Sequence, residues 1–349
     1  MNKMTVIGLD LAKSIFQVHG VDAEGNAVLK KRLARSQMAE FFAHLEPCIV
    51  AMEACGGAHF WARKLATFGH TPQLISPQYV KPFVKTNKND AADAAAIATA
   101  VRQPGMPTVA VKSPEQQAIL SVHRARDGLV KSRTALCHQI RGLLTEFGVV
   151  LPVGAHQVQS RVPALVEAGE NDLPDLLRQL IQRLYEHLKH LAHEIEQCEA
   201  MIASWHRQNE ASQRLVAIPG VGLLTATALV ATVGDAKQYR NGRQLAAALG
   251  LVPKQCSSGG RERLLGISKR GDGYLRRLLI HGGRTVWRSC HRHPDFEQTW
   301  LGRLAKRRPT NVALVALANK RARIIWAMLY HGRSYDPDFK PDLTAAHVG

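Results

Sequence analysis

Four carboxylates occur in apolar or alanine-rich surroundings in the first hundred residues. Asp10 interrupts the run "VIGLDLA" and Glu53 ends the run "CIVAMEA", while Asp90 and Asp93 lie three apart in "NDAADAAAIATA". Alanine favours a helix, and residues three apart share one helix face. A carboxylate within an apolar strand is costly unless its charge is compensated. The alternatives are a hydrogen-bonded polar group for each strand acid, and helix capping by Asn89 or Asp90 with Asp93 in the first turn.

Four acids at one end of a sheet would repel one another, by about 4 kcal/mol per pair at about 4 Å and an effective dielectric constant of about 20. A divalent cation removes this repulsion, and carboxylate oxygens suit Mg²⁺ or Mn²⁺. Two such ions can hold the attacking and leaving oxygens of a phosphodiester. The small residues around Asp90 and Asp93 would let their helix lie close to the sheet. We therefore predict one group of catalytic metal ligands, namely Asp10, Glu53, Asp90 and Asp93.

The elements that would position these acids follow from the pattern of residues 4–110. Three early apolar runs, "MTVIGLDL", "SIFQVHGVD" and "AVLKKRLA", predict an antiparallel meander, and strands alternating with helices follow it. We therefore expect residues 1–110 to form an α/β domain with a mixed sheet.

Residues 111–211 are predicted to form a helical coiled-coil region. A helical pattern runs from about Glu115 to Phe147, and a longer helix begins near Leu173. The apolar positions of the longer helix step by three and four, with one stutter between Leu184 and Leu188, and this spacing favours pairing within the chain or with another subunit. The predicted seam comprises Leu173, Leu177, Leu180, Leu184, Leu188, Leu191, Ile195, Cys198, Ile202 and Trp205.

The positive charge of the chain is concentrated in its last third. Of the 349 residues, 46 are Lys or Arg and 28 are Asp or Glu, a formal net charge of +18. Residues 211–333 alone hold 22 basic and five acidic residues, a net charge of +17. An excess of this size indicates a polyanionic partner. We expect residues 212–333 to be a mostly helical nucleic-acid-binding domain, and residues 334–349, with Pro337 and Pro341, to be a flexible tail.

Two motifs in the basic third could contact phosphate. "AIPGVGLLTATALVATVGD" is typical of a helix-hairpin-helix, whose turn at Gly220 and Gly222 presents backbone N–H groups; the alternative is an ordinary helix-helix turn. In "CSSGGRERLLGISKRGDGYLRRLL", a serine hydroxyl among guanidinium groups could attack phosphorus, and the alternative is a flexible Gly-Ser loop. The predicted nucleic-acid-binding residues are Gly220, Gly222, Arg261, Arg263, Lys269, Arg270, Arg276 and Arg277, and the predicted nucleophile is Ser258.

Two classes of protein are disfavoured by composition. The six cysteines include no CxxC pair, so neither a disulfide framework nor a zinc finger is indicated. No apolar run approaches the roughly 18 residues that a membrane helix needs, and the first residues lack the pattern of a signal peptide. We expect a soluble intracellular protein.

The order of the acids resembles a known fold. An Asp on the first strand, a Glu on a later strand and DxxD on a helix resemble the RNase-H-like fold in its Holliday-junction-resolvase (RuvC-like) form. With "GLVP" and "SSGG" added, nearly the whole chain resembles the DEDD transposases of bacterial insertion sequences. That family includes the Piv and MooV invertases and the bridge-RNA-guided recombinases.

The resemblance implies a recombinase that cuts and rejoins donor and target double-stranded DNA. It implies a covalent phosphoserine at Ser258, with Ser257 as the alternative, and assistance from Mg²⁺ or Mn²⁺ at the four acids. It further implies a noncoding bridge RNA, a homo-oligomer of two to four subunits joined by the coiled coils, and a cytoplasmic, nucleoid-associated location. A metal-dependent structure-specific nuclease without a covalent intermediate is the alternative enzyme. An architectural DNA-binding protein would leave the four acids unexplained.

Overall fold

A computed structural model describes residues 3–84, 89–168 and 172–338, and it divides the chain into two compact units, Met1–Ser113 and Pro114–Gly349. The predicted basic domain, and the predicted helical region from Pro114 onward, fall in the second unit. The six cysteines are free thiols. Among the described residues, no helix combines the length and the apolar character needed to cross a membrane.

The first unit is built on a six-stranded mixed sheet. The strands lie in the order β3-β2-β1-β4-β5-β6, and β1, β2 and β3 form an antiparallel meander. β1, β4 and β5 are parallel, and β6 runs antiparallel to β5. The predicted α/β domain with a mixed sheet is confirmed. Its strands are β1 (Val6–Leu11), β2 (Ile15–Val21), β3 (Ala27–Ala34), β4 (Ile49–Glu53), β5 (Thr71–Ile75) and β6 (Thr108–Val109), and its helices are α1 (Met38–Ala43), α2 (Ala58–Ala66), α3 (Pro77–Val80) and α4 (Asp90–Val101).

Alternation along the strands sends side chains to two different cores. Ile7 and Leu9 of β1 pack with residues of α1 and α2 on one face of the sheet. Ala51 of β4 packs instead with Ala96 and Ile97 of α4 on the other face. Because successive side chains of a strand point to opposite faces, the even-numbered positions of β1 and the odd-numbered positions of β4 face α4.

The second unit is mostly helical, as predicted, with one small hairpin. Its elements are α5 (Pro114–Thr145), α6 (Ala155–Glu167), α7 (Asp175–Arg207), α8 (Glu210–Leu215), α9 (Leu223–Val233), α10 (Gly242–Ala248), β7 (Pro253–Gln255), β8 (Leu264–Ile267), α11 (Gly273–Cys290), α12 (Trp300–Ala305) and α13 (Thr310–His331). Apolar residues of α8 to α11 and α13 share one core. Of the predicted flexible tail, residues 339–349 lie outside the described residues, whereas Tyr335 packs against that core.

The long helix α7 packs within the chain against α5 and α6. Its buried face includes Leu177, Ile181, Leu188 and Leu191. Leu180 of the predicted seam is not on this buried face, because its side chain is 42% exposed, while that of Ile181 is fully buried. The two residues lie on either side of the seam, and contact with α6 turns the Ile181 side inward. A coiled coil between subunits stays a prediction.

Candidate active site and nucleic-acid surface

Two of the predicted acids lie at the carboxyl edge of the parallel strands. Asp10 is the fifth residue of β1 and Glu53 is the last residue of β4. The register pairs Leu9 with Met52, so the two acids follow neighbouring positions of adjacent strands. Both side chains are half-buried, and alternation directs them to the sheet face that α4 covers.

The other two acids occupy the first turn of α4. The N-cap of this helix is Asn89, whose side chain accepts a hydrogen bond of 2.8 Å from the Ala92 N–H. The cap is thus supplied without Asp90 or Asp93. Both carboxylates lie in the first turn of α4, at the end of the helix where the backbone N–H groups have no acceptor within the helix.

α4 lies directly on the sheet. A Cβ on Gly8 of β1 would lie 2.1 Å from the Ala94 carbonyl oxygen and 2.6 Å from the Ala98 nitrogen. Both are backbone atoms of α4, which cannot yield as a flexible side chain would. The absence of a side chain at Gly8 and the alanines of α4 therefore set the close approach of the helix to β1.

This approach brings three of the four acids together. Among the described residues, ligand oxygens of Asp10, Asp90 and Asp93 all lie within 4.8 Å of one another. Glu53 is not part of that group. Burial, and then the negative charges of Glu53 and Asp10, raise the pKa of the Cys55 thiol. Glu53 and Asp10 therefore both lie close to Cys55.

The acidic group fits a divalent cation. Oxygens on opposite sides of one Mg²⁺ are about 4.2 Å apart, since each lies about 2.1 Å from the ion. The oxygens of the acidic group lie within 4.8 Å of one another, which exceeds that separation by only about half an ångström. A small rotation of the aspartate side chains closes this difference. Asp10, Asp90 and Asp93 would hold such an ion, and Glu53 lies at the same edge of the sheet.

Ser258 lies at the tip of the β7–β8 hairpin. Gly259 and Gly260 have φ angles of 56° and 75°, and Ser258 pairs with Arg261 across them. Two central residues with positive φ define a type I′ turn, which glycine adopts readily. The serines are therefore part of a hairpin and not of an irregular loop. All residues of the tip are exposed.

The two neighbouring serines differ in their contacts. Ser257 Oγ accepts hydrogen bonds from the Arg263 N–H at 3.2 Å and from the Gln255 side-chain amide at 3.0 Å. Within the described part of the chain, Ser258 Oγ forms no such bond, while its carbonyl accepts from the Arg261 N–H at 3.1 Å. Ser257 therefore fixes the two strands to each other, and the Ser258 hydroxyl faces solvent.

The predicted basic residues fall into two groups. The first group is exposed and comprises Arg261, Arg263, Lys269 and Arg270. In the second group, Arg276 donates hydrogen bonds of 3.1 and 3.2 Å to the Leu249 and Arg270 carbonyls. Arg277 pairs with Asp127 of α5 and stacks on Tyr274. Both arginines of the second group therefore have structural partners.

The predicted helix-hairpin-helix turn joins α8 and α9. Gly220 has a φ of 79°, and Gly222 is the N-cap of α9. A Cβ on Gly282 of α11 would lie 1.8 Å from the Gly220 carbonyl oxygen. The turn thus rests on a glycine in the middle of α11, with Pro219 and Gly222 exposed.

One charged residue of this region was not predicted from the sequence. Arg321 of α13 is only 3% exposed, and its guanidinium lies behind Gly220. No local sequence pattern marks this arginine, because its neighbours in space are about 40 and about 100 residues away in the chain. The glycine pairs at Gly220 and Gly222 and at Gly282 and Gly283 indicate that the turn and α11 pack closely, but they do not indicate a buried arginine beside them.

A mixed sheet with acids at the carboxyl edge of its parallel strands, followed by a basic helical unit, is consistent with the DEDD transposases that have an RNase-H-like domain. Comparison with family models agrees with this class. Residues 7–149 match the DEDD transposase model described as "Transposase", and residues 212–300 match the model "Transposase IS116/IS110/IS902 family".

Whole-chain relatives define the family. The chain is 51% identical to a probable family 20 transposase of Pseudomonas aeruginosa over 95% of this chain and 98% of that protein. It is 42% identical to the transposase of insertion sequence element IS1328 of Yersinia enterocolitica, over 95% and 98% of the two chains. It is 44% identical to the transposase of IS1111A of Coxiella burnetii, over 96% and 92%. The chain therefore belongs to the IS110 family of insertion-sequence transposases.

Membership establishes three coarse properties. The protein is a DNA transposase enzyme, and its transposase domains imply that it binds DNA. Its DEDD domain indicates dependence on a divalent metal ion. The nucleophile, the identity of the metal ion and an RNA partner do not follow from family membership and are the subject of the proposal below.

Proposed function

We propose that the protein moves its insertion sequence by cutting and rejoining double-stranded DNA through a phosphoserine intermediate at Ser258. The observation that carries this proposal is the approach of Asp10, Asp90 and Asp93 to within 4.8 Å at the carboxyl edge of the sheet. A bound Mg²⁺ or Mn²⁺ would supply charge stabilisation for the phosphodiester oxygens. Glu53 is proposed as the fourth acid of the same metal site.

In the proposed step, Ser258 Oγ attacks phosphorus and loses its proton. A serine–phosphate ester forms, the bond from phosphorus to one sugar oxygen breaks, and that oxygen leaves with a proton as a DNA hydroxyl. A hydroxyl of another DNA end then attacks the ester, which restores the phosphodiester and the Ser258 hydroxyl. No high-energy cofactor is needed, because one phosphoester bond forms for each that breaks.

The hairpin supports Ser258 over Ser257 as the nucleophile. The Ser257 hydroxyl is engaged by Arg263 and Gln255, and leaving that position would cost the hairpin two hydrogen bonds. Ser258 lies one residue further toward the turn, beside Arg261. A guanidinium at that position stabilises charge that develops on phosphoryl oxygens.

The exposed basic residues are proposed to bind the nucleic-acid backbone. Arg261, Arg263, Lys269 and Arg270 present four positive side chains on one stretch of 10 residues. Phosphate contacts of this kind position a protein without reading sequence. We further propose that sequence choice comes from a bridge RNA and that subunits assemble as a dimer to a tetramer. The net charge of +17 over residues 211–333 is compatible with binding both nucleic acids.

Strand transfer between labelled DNA ends tests the proposal. Purified wild-type protein, with RNA transcribed from the DNA that flanks its gene, is expected to form a protein–DNA adduct that survives denaturation. Ser258→Ala should abolish the adduct and strand transfer, and Asp10→Asn should reduce both by about a hundredfold to a thousandfold. Ser257→Ala is the matched control and should retain the adduct.

The same assay distinguishes the alternative. DNA cleavage that persists in Ser258→Ala, without any adduct, would instead favour a structure-specific nuclease in which water attacks. Strand transfer that is independent of added RNA would contradict guidance by a bridge RNA. Sequencing of RNA that co-purifies with the protein supplies an independent check.

A further inference from the structure

The turn between α8 and α9 leaves backbone donors at an exposed helix end. α9 has 11 residues, its N-cap is Gly222, and no side chain caps it. The first N–H groups of a helix have no acceptor within the helix, and they point at the position where an anion binds. Gly222 is exposed, and Leu223 and Leu224 are half-buried. These features alone describe many helix ends.

Arg321 distinguishes this helix end from others. Its side chain lies behind the turn: a Cβ on Gly220 would be 2.7 Å from Nη2 and 2.9 Å from Cζ of the guanidinium. Its Nη1 is buried without a hydrogen-bond partner. No residue in the described ranges forms an ion pair or a hydrogen bond with this guanidinium, and the Arg321 residue as a whole is only 3% exposed. Burial lowers the pKa of Arg321 to about 10, so it remains charged at neutral pH.

A buried cation without an ion-pair partner is costly. If Arg321 only filled space, its replacement by an apolar residue of similar volume should stabilise the fold. The packing around Arg321 is close: a Cβ on Gly283 would lie 3.7 Å from Nη1, and Gly282 contacts Gly220 directly. The charge is thus held against the backbone at Gly220, two residues before the N-cap of α9. In the protein interior, where the dielectric constant is low, the positive charge of Arg321 attracts an anion at this turn more strongly than it would in water.

The α8–α9 turn is the helix-hairpin-helix turn that the sequence predicts to contact phosphate, and we infer that Arg321 is the buried counter-charge of a DNA backbone phosphate at this turn. The N–H groups of Gly222, Leu223 and Leu224 contact the phosphate, and the guanidinium attracts it from behind Gly220. Arg321 is therefore a positioning residue that acts through the turn. The choice of DNA rests on the proposed function, whereas the anion site itself does not.

Thermal unfolding of the full chain tests the anion site, with inorganic phosphate as the probe and chloride at equal ionic strength as the reference. The wild-type protein should show a higher Tm in phosphate than in chloride. Arg321→Met should lose this difference and have an unchanged or higher Tm in chloride. Arg323→Met is the matched control, because Arg323 is exposed on the same helix, and it should keep the difference. Arg321→Lys retains the charge and should keep it in part.

A purely structural role makes the opposite prediction. Arg321→Met would then fail to fold or have a lower Tm in chloride, and either result overturns the inference. A wild-type protein that phosphate does not stabilise relative to chloride overturns it as well. Neither measurement involves strand transfer, so failure of the Ser258 mechanism and failure of the anion site are separate results.

Equilibrium binding then tests the assignment to DNA. The affinity of Arg321→Met for a DNA duplex should fall by roughly tenfold, the loss expected for one charge-assisted contact, and that of Arg323→Met by less. A loss confined to an RNA of the same sequence would overturn the assignment to DNA. Equal losses in the two variants would overturn the special role of the buried charge.

Discussion

At the scale of single residues, two buried polar side chains have opposite surroundings. Arg321 Nη1 has no hydrogen-bond partner among the described residues, whereas His123 of α5 is 1% exposed and hydrogen-bonded at both ring nitrogens. Thr227 Oγ1 donates to the Leu223 carbonyl, so it accepts from His123 Nε2–H at 3.0 Å. His123 Nδ1 then accepts from the Tyr274 hydroxyl at 3.0 Å. A satisfied polar group of this kind ties three helices together.

The His123 network predicts a specific acid sensitivity. Burial, and then the positive charge of Arg126, lowers the pKa of His123 from 6.5 to about 4. Between these values the unfolded chain binds a proton that the folded protein does not. The contribution of neutral His123 to the free energy of unfolding is therefore complete above about pH 6.5. It falls by on the order of 2–3 kcal/mol as the pH drops to about 4.

Urea unfolding from pH 7 to 4 measures this effect. His123→Gln cannot take up the proton, so we expect the difference in unfolding free energy between wild type and variant to shrink as the pH falls. His138→Gln, an exposed position on the same helix, should retain the pH profile of the wild type. Parallel profiles for wild type and His123→Gln would show that the network does not control acid stability.

At the scale of elements, the position of α4 sets the spacing of the acidic group. Gly8→Val would drive side-chain atoms into the backbone of α4 at Ala94 and Ala98. The helix must move outward, which separates Asp90 and Asp93 from Asp10. We expect a loss of about 1–3 kcal/mol in unfolding free energy and a loss of strand transfer that exceeds it.

Unfolding and strand-transfer measurements on the same preparations check this prediction. Gly56→Ala is a suitable control, because a Cβ there meets nothing within 4 Å and the position does not have positive φ. It should keep both stability and strand transfer. A Gly8→Val variant with full strand transfer would show that the close approach of α4 is not required.

The elements also show what sequence alone could establish. The β1–β3 meander and the strand-end positions of Asp10 and Glu53 follow from local runs of apolar residues, and they were predicted. The burial of Ile181 within the chain was not predicted, because Ile181 and Leu180 both lie near one seam of a helix with 3.6 residues per turn and the neighbouring helix determines which is covered. The contacts of His123 join residues 104 and 151 positions apart, and no local pattern encodes them.

At the scale of the whole molecule, the divalent ion is expected to stabilise one unit and not the other. All four predicted acids lie in Met1–Ser113, and the second unit begins at Pro114. Removing divalent ions with EDTA leaves the carboxylates of Asp10, Asp90 and Asp93 to repel one another. Hydrogen exchange should therefore slow in β1 and α4 when Mg²⁺ is added, with no change in α11 or α13.

Two variants sharpen this measurement. Asp93→Asn removes one charge of the group, so it should raise protection in EDTA and abolish the response to Mg²⁺. Glu40→Gln changes an exposed acid of α1 in the same unit and should respond as the wild type does. Protection that rises equally in both units would indicate a general ionic effect and not a site.

The distribution of charge finally predicts the salt dependence of DNA binding. Each phosphate contact releases counterions and adds about 0.9 to the slope of log affinity against log salt concentration. Arg263 is exposed on the hairpin, whereas Arg277 is already paired with Asp127, which Lys131 also contacts at 2.8 Å. Arg263→Gln should therefore lower the slope by about 0.9, and Arg277→Gln should leave it nearly unchanged. Equal changes in the two variants would mean that the ion pair opens when DNA binds and that Arg277 belongs to the DNA surface after all.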